Sequence, residues 1–199
     1  MFTTPTIVTL LRIGLIPVFV VVFYLPVSWV HLAATAVFGL AALTDWLDGY
    51  LARRLGQESA FGSFLDPVAD KLMVAVALVM LVQADPSPLL AVPAAVIIGR
   101  EITISALREW MAEVGARAKV AVSMIGKIKT TAQMLALLCL LYHVSLWGMP
   151  MRSIGYVLLY VAALLTLWSM AVYLRAAWPS LNRDAAQGGP GKPLRSGDE

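Results

Sequence analysis

Six long apolar runs decide what this chain can fold into. A helix needs about 20 apolar residues to cross a bilayer. The runs that approach or exceed this length are Ile7 to Trp29, Leu32 to Leu51, Phe64 to Val82, Leu89 to Leu107, Val122 to Tyr142 and Ile154 to Leu174. They fill most of a chain of 199 residues that is 60% hydrophobic and only 14% charged, with a mean hydropathy of +0.80. The sequence therefore predicts an all-α, polytopic membrane protein with six transmembrane helices.

The basic residues predict how these helices are oriented, because Lys and Arg are retained on the cytoplasmic side of a membrane. The connections Tyr24 to His31 and Gln83 to Pro88 contain no Lys or Arg, and Tyr142 to Arg152 contains only Arg152. The other basic residues lie near the opposite helix ends: Arg12, Arg53, Arg54, Lys71, Arg100, Arg108, Arg117, Lys119, Lys127, Lys129, Arg175, Arg183, Lys192 and Arg195. We therefore expect both termini to be cytoplasmic.

The domain organisation that follows is simple. Residues 1–181 are predicted to form one membrane domain, with no room for a separate soluble one. Residues 182–199 are rich in Gly, Pro and charge, which predicts a disordered cytoplasmic tail. The net charge of +3 does not point to nucleic acid, because membrane topology and anionic lipid headgroups account for where the basic residues lie.

Four aspartates stand out because they lie inside or at the edge of apolar runs: Asp45, Asp48, Asp66 and Asp70. A carboxylate in a membrane-embedded segment costs kilocalories, and it normally faces a water-filled cavity, a partner or a metal ion. Asp45 and Asp48 are three residues apart, and Asp66 and Asp70 are four apart. Each pair therefore shares one face of its helix.

The two pairs are nearly symmetric about Gln57, the centre of the turn between the second and third helices. An antiparallel hairpin would set Asp48 level with Asp66, and Asp45 level with Asp70 one turn deeper. Four carboxylates so close together repel each other unless cations neutralise them. Because the ligands are all oxygen atoms, the pattern favours hard divalent ions such as Mg²⁺ or Mn²⁺, with room for two of them.

Small residues flank the acidic face. Gly49, Ala52 and Gly62 would leave a groove open to a ligand, and Arg53 at its mouth offers a guanidinium to a phosphate. Two other interpretations remain open. The aspartates could be ordinary loop residues or ion-pair partners of Arg53, Arg54 and Lys71, or they could line the ion pathway of a transporter.

The spacing of these residues resembles the signature of the CDP-alcohol phosphatidyltransferase family. That signature reads D-x-x-D-G-x-x-A-R, eight residues, then G-x-x-x-D-x-x-x-D, and all eight of its specified positions are present between Asp45 and Asp70. The similarity extends to bacterial members that make phosphatidylglycerophosphate. The supporting stretches are Pro5 to Arg12, Gly99 to Ile102, Ser105 to Trp110 and Gly126 to Thr131.

The resemblance implies an activity and a role for each signature residue. The activity is transfer of a phosphatidyl group from CDP-diacylglycerol to an alcohol, with release of CMP. Asp45, Asp48 and Asp66 would bind Mg²⁺ or Mn²⁺, and Asp70 would complete this cluster and act as the general base. The residues implied for the CDP moiety are Gly49, Ala52, Arg53 and Gly62.

The acceptor alcohol is predicted less directly, from basic residues on the same cytoplasmic side. An anionic acceptor such as glycerol 3-phosphate would suit the basic cluster of Arg100, Arg108, Lys119, Lys127 and Lys129. Within it, Arg100, Arg108 and Lys127 are the candidates for binding the acceptor phosphate. Arg100 and Lys127 are favoured because each lies in or against an apolar run, where a buried charge demands a partner. Topology alone also accounts for these cations. Inositol phosphate, serine and phosphatidylglycerol stay open as alternative acceptors.

The resemblance also implies where the protein acts. The expected location is the bacterial cytoplasmic (inner) membrane, with several membrane crossings and the active site facing the cytoplasm. The expected partners are CDP-diacylglycerol, glycerol 3-phosphate, membrane lipid and a second copy of the chain in a homodimer.

Overall fold

The computed structural model of the protein describes residues 4–55, 60–113, 124–146 and 148–187. Within these ranges the chain forms six α-helices: α1 (Thr4–Phe23), α2 (Val30–Leu55), α3 (Ala60–Ala84), α4 (Pro88–Glu113), α5 (Met124–Tyr142) and α6 (Met151–Gln187). A single β-bridge joins Leu146 to Met149 in the connection before α6. The predicted all-α class and the predicted number of helices are confirmed.

Most helix ends differ from the sequence-based bounds, and the C-terminal ends of α1 and α6 are two examples. The helix α1 ends at Phe23 and not at Trp29, because Pro26 has no N–H to donate and also disfavours helical geometry at Leu25. The helix α6 extends past Leu174 to Gln187. Residues 182–187, which we predicted to be disordered, are therefore helical. The rest of the predicted tail lies outside the described residues.

The helix α1 bridges α2 and α3. It packs against both α2 and α3, and these two helices contact α1 more extensively than they contact each other. The helix α5 packs against α6 and α2, and α4 packs against α6 and α3. In the core, the rings of Phe19 and Phe38 lie 6.3 Å apart, and Leu78 and Leu137 are fully buried. Side chains on the inner face of α1 therefore lie between α2 and α3.

The outside of the bundle is apolar. Two stretches in the described part of the chain are long and apolar enough to cross a membrane, Pro88–Ala112 and Met151–Arg175, and only 33% and 22% of their most apolar windows are buried. Large apolar side chains such as Phe64, Ile102 and Leu164 are about two-thirds exposed. A soluble monomer rarely exposes so much apolar surface. The surface is the one expected of a bundle embedded in lipid.

Close packing of α5 on α6 depends on Gly155. A Cβ atom at this position would lie 2.7 Å from Cγ and 3.1 Å from the backbone nitrogen of Leu140, whereas a Cβ at Gly14 would meet nothing within 4 Å. We expect Gly155→Ala to force the helices apart and to destabilise the protein by about 1–3 kcal/mol. Thermal unfolding in detergent should show a Tm several degrees lower than that of Gly14→Ala, the matched control. Equal Tm values for the two variants would contradict this packing.

Candidate active site

Three of the four signature aspartates meet at the inner face of α1. Asp45 lies on α2, and Asp66 and Asp70 lie on α3. Nη1 of Arg12 is 2.9 Å from Oδ1 of Asp45 and 2.5 Å from Oδ1 of Asp70, and the hydroxyl of Thr9 donates a hydrogen bond to Oδ1 of Asp66. Because one nitrogen atom contacts both carboxylates, Asp45 and Asp70 approach the same point, as the hairpin symmetry predicts.

The hydrogen-bond donors of this cluster are buried and its carboxylates are partly open. The Arg12 side chain is 2% exposed, whereas the side chains of Asp45 and Asp70 are both 40% exposed. Thr9, one turn before Arg12 on the same helix face, is fully buried. The helix α1 therefore forms the closed back of the site and leaves the carboxylates accessible from the front.

The remaining signature residues are only partly described. Asp48, Gly49, Ala52 and Arg53 lie in the helical backbone of α2, but their side chains fall outside the described part of the structure, and Gly62 is buried on α3. Lys71, one of the alternative ion-pair partners, donates a hydrogen bond to Ser105 of α4. Arg12 is the cation that the described structure pairs with Asp45 and Asp70.

The donor chemistry of the cluster fits the predicted metals. Asp45, Asp66 and Asp70 offer only carboxylate oxygen atoms, the ligands that Mg²⁺ and Mn²⁺ prefer. Among the described side chains, a set that omits Asp48, no group of three or more acidic, His or Cys residues already has a metal-binding arrangement. The guanidinium of Arg12 lies between two of the carboxylates that such an arrangement would use.

A cavity of about 200 Å³ opens from the carboxylates towards α4 and α5. The residues that line it are Asp45, Pro67, Asp70, Lys71, Val74, Glu101, Lys129, Thr130, Gln133 and Met134. Carboxylates therefore form one wall, and polar side chains of α4 and α5 form the wall opposite. This arrangement places a negative site and a basic site on one small volume.

The basic wall is organised around Glu101. Oε1 of Glu101 accepts hydrogen bonds from Nζ of Lys129 at 2.9 Å and from Nη1 of Arg100 at 2.6 Å. Nη2 of Arg100 also donates to Ser169 of α6, at 3.2 Å. In the part of the chain that the structure describes, the buried Nε of Arg100 has no hydrogen-bond acceptor. Two cations share one carboxylate, so this wall keeps a net positive charge.

Of the other two predicted acceptor residues, Arg108 and Lys127, the structure describes the side chain of Arg108 only. Arg108 is exposed and lies over the ring of Tyr173, with its guanidinium carbon 5.0 Å from the ring centroid, and it donates a 2.7 Å hydrogen bond to the Tyr173 hydroxyl. It does not line the cavity. Lys127 lies on α5, but its side chain is outside the described residues. Lys129, two residues further on, is the α5 cation on the cavity wall.

Sequence reasoning gave too small a role to Arg12 and Lys129. It used Arg12 only to orient the first helix, although a charge inside an apolar run, three residues after a Thr, was already a signal for a buried polar cluster. It placed Lys129 in the basic group but preferred Lys127. No sequence signal could separate these two lysines, because the choice depends on the rotation of α5 about its axis.

A second polar cluster lies at the other end of α3, about 22 Å along the helix from Asp70. Asp85 accepts hydrogen bonds from Tyr156 and Arg152, both at 2.6 Å, and these contacts lower the pKa of Asp85 below its ordinary value. The rings of His31 and His143 stack nearby with centroids 5.3 Å apart. Both histidines are therefore remote from the aspartate cluster, as their positions in the outer connections predict.

Carboxylates and a buried lysine share one cavity in this apolar helical bundle. These are the features of a membrane enzyme that acts on a charged substrate. The sequence model of the family described as CDP-alcohol phosphatidyltransferase matches residues 2–168. The chain belongs to this family and is a transferase. Family membership favours an enzyme over the ion-coupled transporter that the sequence left open.

Several curated proteins that share one name are similar to this chain over most of its length. A protein of Escherichia coli (strain K12) named CDP-diacylglycerol–glycerol-3-phosphate 3-phosphatidyltransferase is 57% identical over 176 residues, which cover 88% of this chain and 95% of that protein. Proteins of the same name from Shigella flexneri serotype 5b (strain 8401) and Shigella boydii serotype 4 (strain Sb227) show the same identity and coverage. The similarity therefore spans nearly the full length of these enzymes.

Proposed function

We propose that the protein transfers the phosphatidyl group of CDP-diacylglycerol to glycerol 3-phosphate, giving phosphatidylglycerophosphate and CMP in phospholipid biosynthesis. The observation that carries this proposal is the single cavity that Asp45 and Asp70 share with Lys129. Such a cavity suits a reaction between a metal-bound diphosphate and an anionic acceptor. The names of relatives that are 57% identical over 88% of the chain support the choice of both substrates.

The aspartates have the first role in this reaction. Asp45, Asp48, Asp66 and Asp70 would hold Mg²⁺ or Mn²⁺, with two ions as the expected number. When bound, the ions would neutralise the diphosphate oxygen atoms and make CMP a better leaving group. Thr9 and Arg12 orient three of these carboxylates from the back of the site.

The chemical step is a single displacement at phosphorus. Asp70 accepts the proton of the acceptor hydroxyl. The oxygen of that hydroxyl attacks the phosphorus that carries the diacylglycerol. The bond from that phosphorus to the bridging oxygen of CMP breaks, and CMP leaves with the bonding electron pair. The position of Asp70 supports this role, because its side chain is 40% exposed and it lines the cavity.

The two substrates occupy opposite sides of the cluster in this proposal. Gly49, Ala52, Arg53 and Gly62 would line the site of the CDP moiety, since they share the signature faces of α2 and α3 with the aspartates. The small side chains leave space, and Arg53 offers its guanidinium to a phosphate.

The acceptor phosphate belongs at the basic wall. We add Lys129 to the predicted acceptor residues Arg100, Arg108 and Lys127, because it is the described cation of α4 and α5 that lines the cavity. Arg100 shares Glu101 with Lys129 and would add positive charge beside this phosphate. Arg108, which is exposed beside Tyr173, is better placed for a contact at the entrance.

The membrane arrangement completes the proposal. Residues 1–181 form the membrane domain with six crossings, and residues 182–199 follow it on the cytoplasmic side. Both termini and the aspartate cluster face the cytoplasm of a bacterium, at its inner membrane. The distribution of basic residues and the apolar surface support this topology. The homodimer that the family resemblance implies remains part of the proposal.

Purified protein with CDP-diacylglycerol and a panel of acceptors tests the substrates. We expect CMP release with glycerol 3-phosphate at least tenfold faster than with inositol phosphate, serine or phosphatidylglycerol, because the names of the relatives specify this acceptor and the basic wall favours a phosphate over serine. Faster release with another member of the panel would overturn the acceptor, and no CMP release with any of them would overturn the reaction.

A further inference from the structure

Arg12 has an environment that its position in the sequence does not explain. It is 1% exposed in a helix whose mean composition is strongly apolar, and burying an arginine costs several kilocalories unless its charge is compensated. The described compensation comes from Asp45 and Asp70, which contact the same Nη1 atom. Arg12 is therefore retained for the carboxylates and not for packing.

The carboxylates depend on Arg12 in the same way. Three of them lie close enough to interact, since both Asp45 and Asp66 act electrostatically on Asp70. Thr9 gives Asp66 a hydrogen bond but no charge, so Arg12 is the cation in contact with Asp45 and Asp70. Without the positive charge of Arg12, the like charges of Asp45 on α2 and Asp70 on α3 would face each other beside α1.

Arg12 and a divalent ion would use the same atoms. Oδ1 of Asp45 and Oδ1 of Asp70 are both directed at Nη1 of Arg12. An ion bridging these two carboxylates needs oxygen atoms from each of them, and its charge would repel the guanidinium at that distance. The two cations are therefore alternatives at this point of the cluster.

We propose that Arg12 is a positioning residue that acts as a built-in counter-cation: it holds Asp45 and Asp70 together in protein stripped of metal and competes with the metal ion for their oxygen atoms. The proposal rests on the proposed function only for the identity of the ion. It assigns α1 the task of keeping the carboxylates of α2 and α3 assembled before the ion binds, at the expense of some metal affinity.

The test compares Arg12→Gln with the unchanged protein in two measurements, thermal unfolding and Mn²⁺ binding followed by electron paramagnetic resonance. In EDTA we expect the Tm of Arg12→Gln to be lower by about 5 °C or more. In saturating Mn²⁺ most of this difference should disappear, because the ion takes over the role of the guanidinium. The variant should also bind Mn²⁺ about tenfold more tightly, as a competing cation has been removed.

Arg152→Gln is the matched control, because Arg152 also forms an Arg–Asp pair, with Asp85 at the other end of α3. Its Tm difference should be the same in EDTA and in Mn²⁺. Arg12→Lys, which keeps the charge, should have a Tm in EDTA and a Mn²⁺ affinity between those of the unchanged protein and Arg12→Gln. It serves as the test variant if Arg12→Gln does not fold.

Weaker Mn²⁺ binding by the variants, or a Tm difference unaffected by Mn²⁺, would overturn the proposal. Mn²⁺ binding is measured without substrate, so failure of the proposed reaction would appear separately, as absent CMP release by the unchanged protein.

Discussion

Asp70→Asn should lower the rate of CMP release by about 10²–10⁴-fold, the range expected when a general base is lost. Asn keeps the size of the side chain and one oxygen atom, but it cannot take the proton of the acceptor hydroxyl. It also carries no charge for Arg12 or for a metal ion. Asp45 and Asp66 remain, so much of the binding of CDP-diacylglycerol should survive. The measurement is kcat for CMP release together with the Kd of the CDP-lipid.

Asp85→Asn provides the control for that prediction. Asp85 directly follows α3, at the opposite end of that helix from Asp70, and it also contacts an arginine, Arg152 at 2.6 Å. Its replacement should leave kcat within about threefold of the unchanged protein, since surface substitutions outside a site have small effects. Near-normal turnover by Asp70→Asn would remove Asp70 as the base.

Lys129→Gln should raise the KM for glycerol 3-phosphate by about 10–100-fold, which corresponds to the loss of a charge-assisted hydrogen bond to a phosphate. Lys129 is 6% exposed, and it lies on the cavity wall opposite Asp45 and Asp70. The KM for CDP-diacylglycerol should change little, because the proposed site of that substrate is on the other side of the cluster. Initial rates measured while each substrate is varied in turn separate the two effects.

Two variants sharpen the interpretation of Lys129. Lys129→Arg keeps the charge and should recover a large part of the affinity for the acceptor. Arg108→Gln removes an exposed cation beside Tyr173 and should raise the same KM by less than Lys129→Gln does. If Lys129→Gln changed both KM values equally, Lys129 would be a structural partner of Glu101 and not a residue of the acceptor site.

The aspartate cluster could be predicted from sequence because its geometry is local. Helical spacing puts Asp66 and Asp70 on one face, and a short connection places Asp45 near the depth of Asp70. These constraints hold for almost any packing of the bundle. The structure bears them out where it describes the side chains, since Asp45 and Asp70 contact one atom of Arg12.

The contacts of α1 with the aspartate cluster could not be predicted in the same way. The sequence predicts a hairpin of α2 and α3, but α1 packs against both of these helices, and that contact joins residues more than 50 positions apart in the chain. Similarly, Lys127 and Lys129 differ by about 200° around α5. Tertiary packing brings Lys129 to the cavity, so its place there had to be found in the structure.

Chelation of metal tests whether the carboxylates of α2 and α3 work through divalent ions. CMP release from CDP-diacylglycerol and glycerol 3-phosphate would be measured in detergent after treatment with EDTA, and again after addition of excess Mg²⁺ or Mn²⁺. We expect release to fall to background in EDTA and to return with either ion. An unchanged rate in EDTA would contradict the account.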